Sequence, residues 1–130
     1  MHPAIHAQTY PDKQAVVMAS SGAGLTYSEL DEASNQAAHA FRTLGLKRGD
    51  VVAVVLESTI DVCAIAWGTQ RAGLYLTAIS TKVSPEDLVY IVRDCGASVL
   101  MVSDSLALIA MRAVGMEGGP CSRAGRCRRS

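Results

Sequence analysis

Apolar residues along this chain fall into short runs of two different periods. From Val51 to Leu56 they are continuous, a β-branched run that predicts a strand buried on both faces of a parallel sheet. From Ile60 to Ala72 they step by threes and fours through Ile60, Cys63, Ala64 and Trp67 toward Arg71, which predicts a helix with one buried stripe. Gly73 can supply the left-handed residue that ends it. Leu74 to Ile79 then re-enters the sheet, and a strand, a helix and a strand in that order imply a right-handed crossover. This βαβ stretch, Gly49 to Ser80, is the one around which the rest is organised.

The flanking segments extend the pattern. His2, His6 and Pro11 belong to a polar lead-in expected to form a short helix and turn, with the three histidines, His39 included, read as surface residues without partners in their own elements. Ala15 to Ser20 and the residues from Leu25 read as a hairpin across Ser20-Ser21-Gly22-Ala23-Gly24. That turn is glycine-rich, but it leads into Leu25-Thr26-Tyr27, which looks extended, whereas a phosphate-cradling loop leads into a helix and commonly carries a Lys. Thr26 and Glu29 have capping-box spacing and open a helix that carries Leu30, Ala33, Ala37, Phe41 and Leu44 on one face and ends at Gly45. Ser84-Pro85-Glu86-Asp87 starts another, with Leu88, Ile91, Val92 and Cys95 as its stripe and Gly96 as its stop. Val99 to Val102 is a third strand, and Ser103-Asp104-Ser105 is expected to cap a last helix from Leu106 to Val114. The order is that of an α/β fold of parallel βαβ units behind a short N-terminal hairpin.

Composition narrows the function classes. The chain is 49% hydrophobic but only 5% aromatic, so its core must be built from Val, Leu, Ile and Ala. The formal net charge is zero, which offers no basic field for nucleic acid. That zero hides an acidic body and a basic end: up to Met111 there are seven Lys and Arg against eleven Asp and Glu, and from Arg112 onward five Arg against Glu117 alone. Residues 115–130 show no apolar period and read as an unstructured basic tail, of the composition a frameshift in GC-rich DNA would encode. No apolar run reaches the roughly 20 residues of a membrane span and no signal peptide is legible, so a cytoplasmic location is expected. Cys63 and Cys95 read as small core residues, and Cys121 and Cys127 lack the further ligands of a zinc site.

Taken together, the segments LTYSELDEASNQAAHAFRTLGLKRGDVVAVVLES, WGTQRAGLYLTAIS and SPEDLVYIVRDCGASVLMVS resemble the N-terminal part of the adenylate-forming (AMP-binding) superfamily. Trp67 and the following TQRAGLYLTA are similar to its fatty-acyl-CoA ligase branch, and the likeness covers about Tyr10 to Leu108. The resemblance implies ATP- and Mg2+-dependent activation of a fatty acid to an acyl-adenylate, then transfer to the thiol of coenzyme A, in lipid metabolism. That chemistry needs amides and a Lys to hold the triphosphate, a metal to neutralise it and a basic residue for adenylation. In the family, the Ser/Thr/Gly-rich phosphate loop, the Tyr-Gly-x-Thr-Glu-like motif and the C-terminal domain with its Lys lie beyond the matched region. No catalytic, cofactor-binding or metal-binding residue is therefore carried over, and Lys47, Arg48 and Lys82 read as solvated loop charges.

Residues 1–114 are accordingly expected to form a truncated N-terminal part of an acyl-CoA ligase domain, inactive and binding no cofactor alone, with apolar faces left open to self-association. Two alternatives stand beside this reading. The chain is half of a split ligase completed by a second polypeptide, or it is a small non-catalytic α/β interaction module.

Overall fold

The computed structural model describes residues 2–114, and the basic tail expected at 115–130, with Cys121 and Cys127, lies outside them. The described chain is mixed α/β and divides into two compact units, each drawn from two segments.

The first unit comprises residues up to Lys47 together with Ser58–Gly73. It holds helix α1 (Pro3–Thr9), strands β1 (Gln14–Val17) and β2 (Gly24–Thr26), and helices α2 (Tyr27–Thr43) and α3 (Ile60–Arg71). β1 and β2 pair antiparallel, the expected hairpin, with Gly22 at φ 70° in the turn. The capping box is complete: Thr26 Oγ1 accepts from the Glu29 amide at 3.2 Å, and Glu29 Oε2 accepts from the Thr26 amide at 2.8 Å. Two backbone bonds, Tyr27 N to the Lys13 carbonyl and Ser28 N to the Pro11 carbonyl, tie the start of α2 to the segment before β1.

Burial on α2 follows Leu30, Ser34, Ala38 and Phe41, and on α3 Ala64, Gly68 and Thr69. The apolar pattern places the stripes through Leu30, Ala33, Ala37, Phe41 and Leu44 and through Ile60, Cys63, Ala64 and Trp67; Leu30, Phe41 and Ala64 are buried as expected, while the others are only half-buried. The correction has a steric cause. α2 and α3 pack through small residues, and a Cβ on Gly68 would stand 2.5 Å from Ala37 Cβ and 3.0 Å from the Ser34 carbonyl. A hydrophobicity pattern ranks side chains by apolar character, whereas close helix approach selects small ones, including polar Ser34 and Thr69. Both hydroxyls are satisfied locally, Ser34 on the Asp31 carbonyl at 2.9 Å and Thr69 on the Ile65 carbonyl at 2.7 Å.

The second unit comprises Arg48–Glu57 and the chain from Leu74 onward. Its strands β3 (Val51–Val55), β4 (Tyr75–Ala78) and β5 (Val99–Val102) form a parallel sheet in the order β4-β3-β5, with Val51 opposite Tyr75 and Val52 opposite Val99. β3 is central, and Val52 to Val55 are all buried, as a continuous β-branched run requires. Helix α4 (Pro85–Asp94) begins at Ser84, whose Oγ accepts from the Asp87 amide at 3.1 Å. Ala53, Val55, Ile79, Leu88 and Ala110 of helix α5 (Ala107–Val114) form this unit's core, and Ile91, Val92 and Cys95 pack against it. Cys95 thus sits where the stripe placed it. β4 is an edge strand with Tyr75, Leu76 and Ala78 exposed, an outcome its apolar sequence did not suggest.

Candidate functional site

Because β3, β4 and β5 run parallel, the residues that follow them lie along one edge of the sheet. In open α/β sheets the carboxyl edge is where ligands bind. Here it presents Glu57 after β3, Ser80 after β4 and Ser103 after β5. The Ser105 hydroxyl donates to Glu57 Oε1 at 2.9 Å and lies 3.2 Å from the Ser103 hydroxyl. Ser80 Oγ accepts from the Lys82 amide at 3.2 Å, which shapes the loop before α4.

This arrangement differs from the expected helix cap. The Ser103 hydroxyl makes no bond to a helix amide; a 3₁₀ turn (Asp104–Leu106) precedes α5, and its amide from Leu106 bonds the Ser103 carbonyl instead. The Ser105 side chain turns to Glu57, 48 residues earlier, and the Ser103 hydroxyl meets that of Ser105. No local sequence signal links those positions, because the sheet register brings them together. Chemically the group is a solvent-facing set of acceptors and hydroxyls. A serine bonded to a carboxylate, without a histidine between them, is not an activated nucleophile.

The first unit carries the second polar cluster. Arg71 Nη2 donates to Asp31 Oδ1 and, at 3.2 Å, to Ser34 Oγ, while Arg71 Nε is buried without a hydrogen-bond partner among the described residues. His2 belongs to the same neighbourhood. Its Nδ1 accepts from the Ala4 amide at 3.2 Å, and its ring meets Trp67 edge-on with centroids 5.3 Å apart. Partial burial and the Arg71 cation hold its pKa below the ordinary histidine range, against the pull of Asp31. The expectation that His2 has no partner in its own element is thereby corrected: as N-cap of α1 it bonds that helix directly. The missed signal was His-Pro, a capping position followed by a proline at the first helical residue. His39 is exposed on α2, and the ring of His6 lies 5.0 Å from that of Tyr27.

The glycine-rich turn between β1 and β2 leads into a strand, not a helix. Lys47, Arg48 and Lys82 are exposed, and none belongs to either cluster. Among the described residues no group of three or more His, Cys, Asp or Glu is placed to hold a metal ion. Cys63 is half-buried and free. An open depression on the outer face of α4, lined by Glu86, Val89, Tyr90, Arg93 and Asp94, is a single-helix surface and not an enclosed cavity.

Comparison with known proteins sets these features in a family. The model of the family described as AMP-binding enzyme matches residues 4–122. Bovine long-chain fatty acid transport protein 1 is 34% identical over 100 residues, which are 77% of this chain and 16% of the relative. Phosphinothricin tripeptide synthetase PhsC of Streptomyces viridochromogenes is 36% identical over 106 residues, 82% of this chain and 9% of the synthetase. Long-chain-fatty-acid–CoA ligase FadD13 of Mycobacterium tuberculosis is 26% identical over 95 residues, 73% of this chain and 19% of the ligase. The chain thus spans less than a fifth of each of these three. Among solved structures, the inhibitor-bound N-terminal domain of FACL13 from Mycobacterium tuberculosis superposes with a TM-score of 0.81 at 24% identity, covering 91% of this chain and 29% of that one. An anthranilate–CoA ligase in complex with anthranoyl-AMP gives the same TM-score at 22% identity, over 87% and 22% of the two chains. These likenesses fix the fold as that of the N-terminal domain of acyl-CoA synthetases.

Proposed function

This chain belongs to the AMP-binding enzyme family, and from that membership we propose that residues 1–114 are scaffold from a fatty-acyl-CoA ligase. The full activity is ATP- and Mg2+-dependent formation of a fatty acyl-adenylate, followed by transfer to coenzyme A in cytoplasmic lipid metabolism. The observation that supports the branch is the similarity to a long-chain-fatty-acid–CoA ligase and to a long-chain fatty acid transport protein along most of this chain. Among the described residues no helix is long and apolar enough to cross a membrane.

On this reading the described residues do not themselves hold the nucleoside triphosphate. The glycine turn opens a strand, so its amides are not the start of a helix, and among the described residues no three or more His, Cys, Asp or Glu are gathered to hold a metal ion. On this reading the chain contributes one parallel sheet and its helices, and the residues that bind ATP, metal and acyl group belong to other parts of the enzyme. Residues 1–130 alone do not adenylate; a second polypeptide that carries those parts is the split-enzyme form of the same proposal.

A second reading has its own support. The 36% identity to a tripeptide synthetase equals or exceeds that to the fatty-acid proteins, which favours an acid-activating domain of the amino-acid branch. The non-catalytic interaction module is the third. One assay set separates them: acid-dependent ATP–pyrophosphate exchange by the chain joined to, or mixed with, the remainder of a fatty-acid-activating and, in parallel, of an amino-acid-activating AMP-binding domain, each offered its own acid, so that the remainder this chain completes is the readout. Exchange with fatty acids supports the first reading and exchange with amino acids the second. Exchange by the 130-residue chain alone overturns the scaffold proposal, and none in any combination leaves the interaction module.

A further inference from the structure

We propose that His2 is a pH-sensitive clasp on the first turn of α1: its neutral imidazole caps that turn and packs against Trp67 of α3, and protonation of the ring undoes the cap and loosens the turn.

The bonding pattern sets the chemistry. Nδ1 of His2 accepts from the Ala4 amide, so it carries a lone pair and the ring proton resides on Nε2. The nitrogen left to be protonated is therefore the one that makes the cap. Protonation turns that acceptor into a donor facing another donor, and the bond is lost. The first turn contains no acidic residue and begins with a proline, so the bond to His2 Nδ1 is the side-chain cap of its free amides, beside the backbone bond from Ile5 N to the His2 carbonyl. A helix of seven residues is far below the length that is stable in water by itself, so it persists through its docking. α1 docks mainly on α2, with Pro3 buried and the His6 ring beside Tyr27, and the His2 ring adds a contact with Trp67 of α3 at the start of the helix.

The charges around the ring act in the same sense. Partial burial opposes an imidazolium most, and so do Arg71 on α3 and, more weakly, the chain's amino group. Asp31 on α2 favours it, but that carboxylate is already engaged by Arg71. On α1 itself the titratable neighbour is His6, one turn away, with its ring beside Tyr27. A base whose pKa is lowered by folding takes up its proton more readily when unfolded. The docked state is therefore favoured above the ordinary value of about 6.5 and loses ground as pH falls through the lowered one.

Trp67 is the sole tryptophan of the chain, which gives a direct reporter. Its emission would be followed from pH 8 to pH 5 in the full chain and in His2→Asn, where Asn keeps a capping oxygen without a titration near neutrality. His6→Gln controls for the other α1 histidine. In parallel, hydrogen exchange of the α1 amides would be compared at pH 7.5 and 5.5 after correction for intrinsic rates. The expected result is an emission change with a midpoint below 6.5 in the wild type and in His6→Gln. It should be accompanied by a loss of α1 protection of up to about tenfold per pH unit, the limit for a one-proton linkage. His2→Asn should show neither. Persistence of the transition in His2→Asn, unchanged α1 protection in the wild type, or a midpoint above 6.5 from imidazolium–indole attraction would overturn the proposal.

Discussion

Arg71 and Asp31, forty residues apart in sequence, form an ion pair that joins the last turn of α3 to the first half of α2. Arginine suits this position because a cation near a helix C-terminus is favoured by the dipole, and because its fork reaches the carboxylate and the Ser34 hydroxyl from one nitrogen. The two side chains are 21% and 27% exposed, so water screens the pair only in part.

Removal of the carboxylate should therefore be felt, though modestly. Asp31→Ala is expected to destabilise the first unit by about 1 kcal/mol, at the upper end for exposed pairs. A double-mutant cycle with Arg71→Ala, measured by urea unfolding at low and high salt, should give a coupling that shrinks as salt rises. A coupling indistinguishable from zero at low salt would show that the pair adds nothing.

Gly68 sets the spacing of α2 and α3. Gly68→Ala places a methyl 2.5 Å from Ala37 Cβ and should cost about 1–3 kcal/mol, despite the gain in helix propensity that alanine brings. Adding Ala37→Gly removes the clashing carbon and should recover part of the loss. Equal or higher stability for Gly68→Ala in a thermal melt would contradict the close packing.

The two N-caps offer a cleaner comparison. Thr26→Ala breaks a reciprocal box and Ser84→Ala removes an oxygen that accepts one helix amide. Each should cost about 1 kcal/mol. Thr26→Ser and Ser84→Thr, which keep the hydroxyl, should lie within a few tenths of wild type by the same denaturation assay.

β4 exposes Tyr75 at 67% and Leu76 at 39% along a strand edge. Such an edge favours association through backbone pairing. Sedimentation velocity of the 130-residue chain should show concentration-dependent assembly, shifted toward monomer by Leu76→Lys or Tyr75→Lys. A wild type that stays monomeric at high concentration and melts in one sharp, concentration-independent step would refute this.

Residues 2–114 show which features were legible from sequence and which were not. The α/β class, the parallel sheet, the hairpin, both caps at Thr26 and Ser84 and the glycine stops at Gly45, Gly73 and Gly96 are all present where the residues put them. Each depends on interactions within a few residues, a period of apolar side chains, a hydroxyl beside free amides or a backbone angle that glycine adopts without strain. The family likeness is legible for the same reason, since it rests on those local segments in their order.

Other features required the chain to be folded. The buried stripes of α2 and α3 run through Ser34, Gly68 and Thr69 because two helices meet closely there, and closeness selects small side chains that an apolar pattern ranks low. The bonds of Ser105 to Glu57 and of Arg71 to Asp31 and the ring contact of His2 with Trp67 join residues that chain order separates by 40 or more positions, and only sheet register and helix packing bring them within reach. The exposure of β4 is likewise a matter of strand order, which no strand encodes in its own residues.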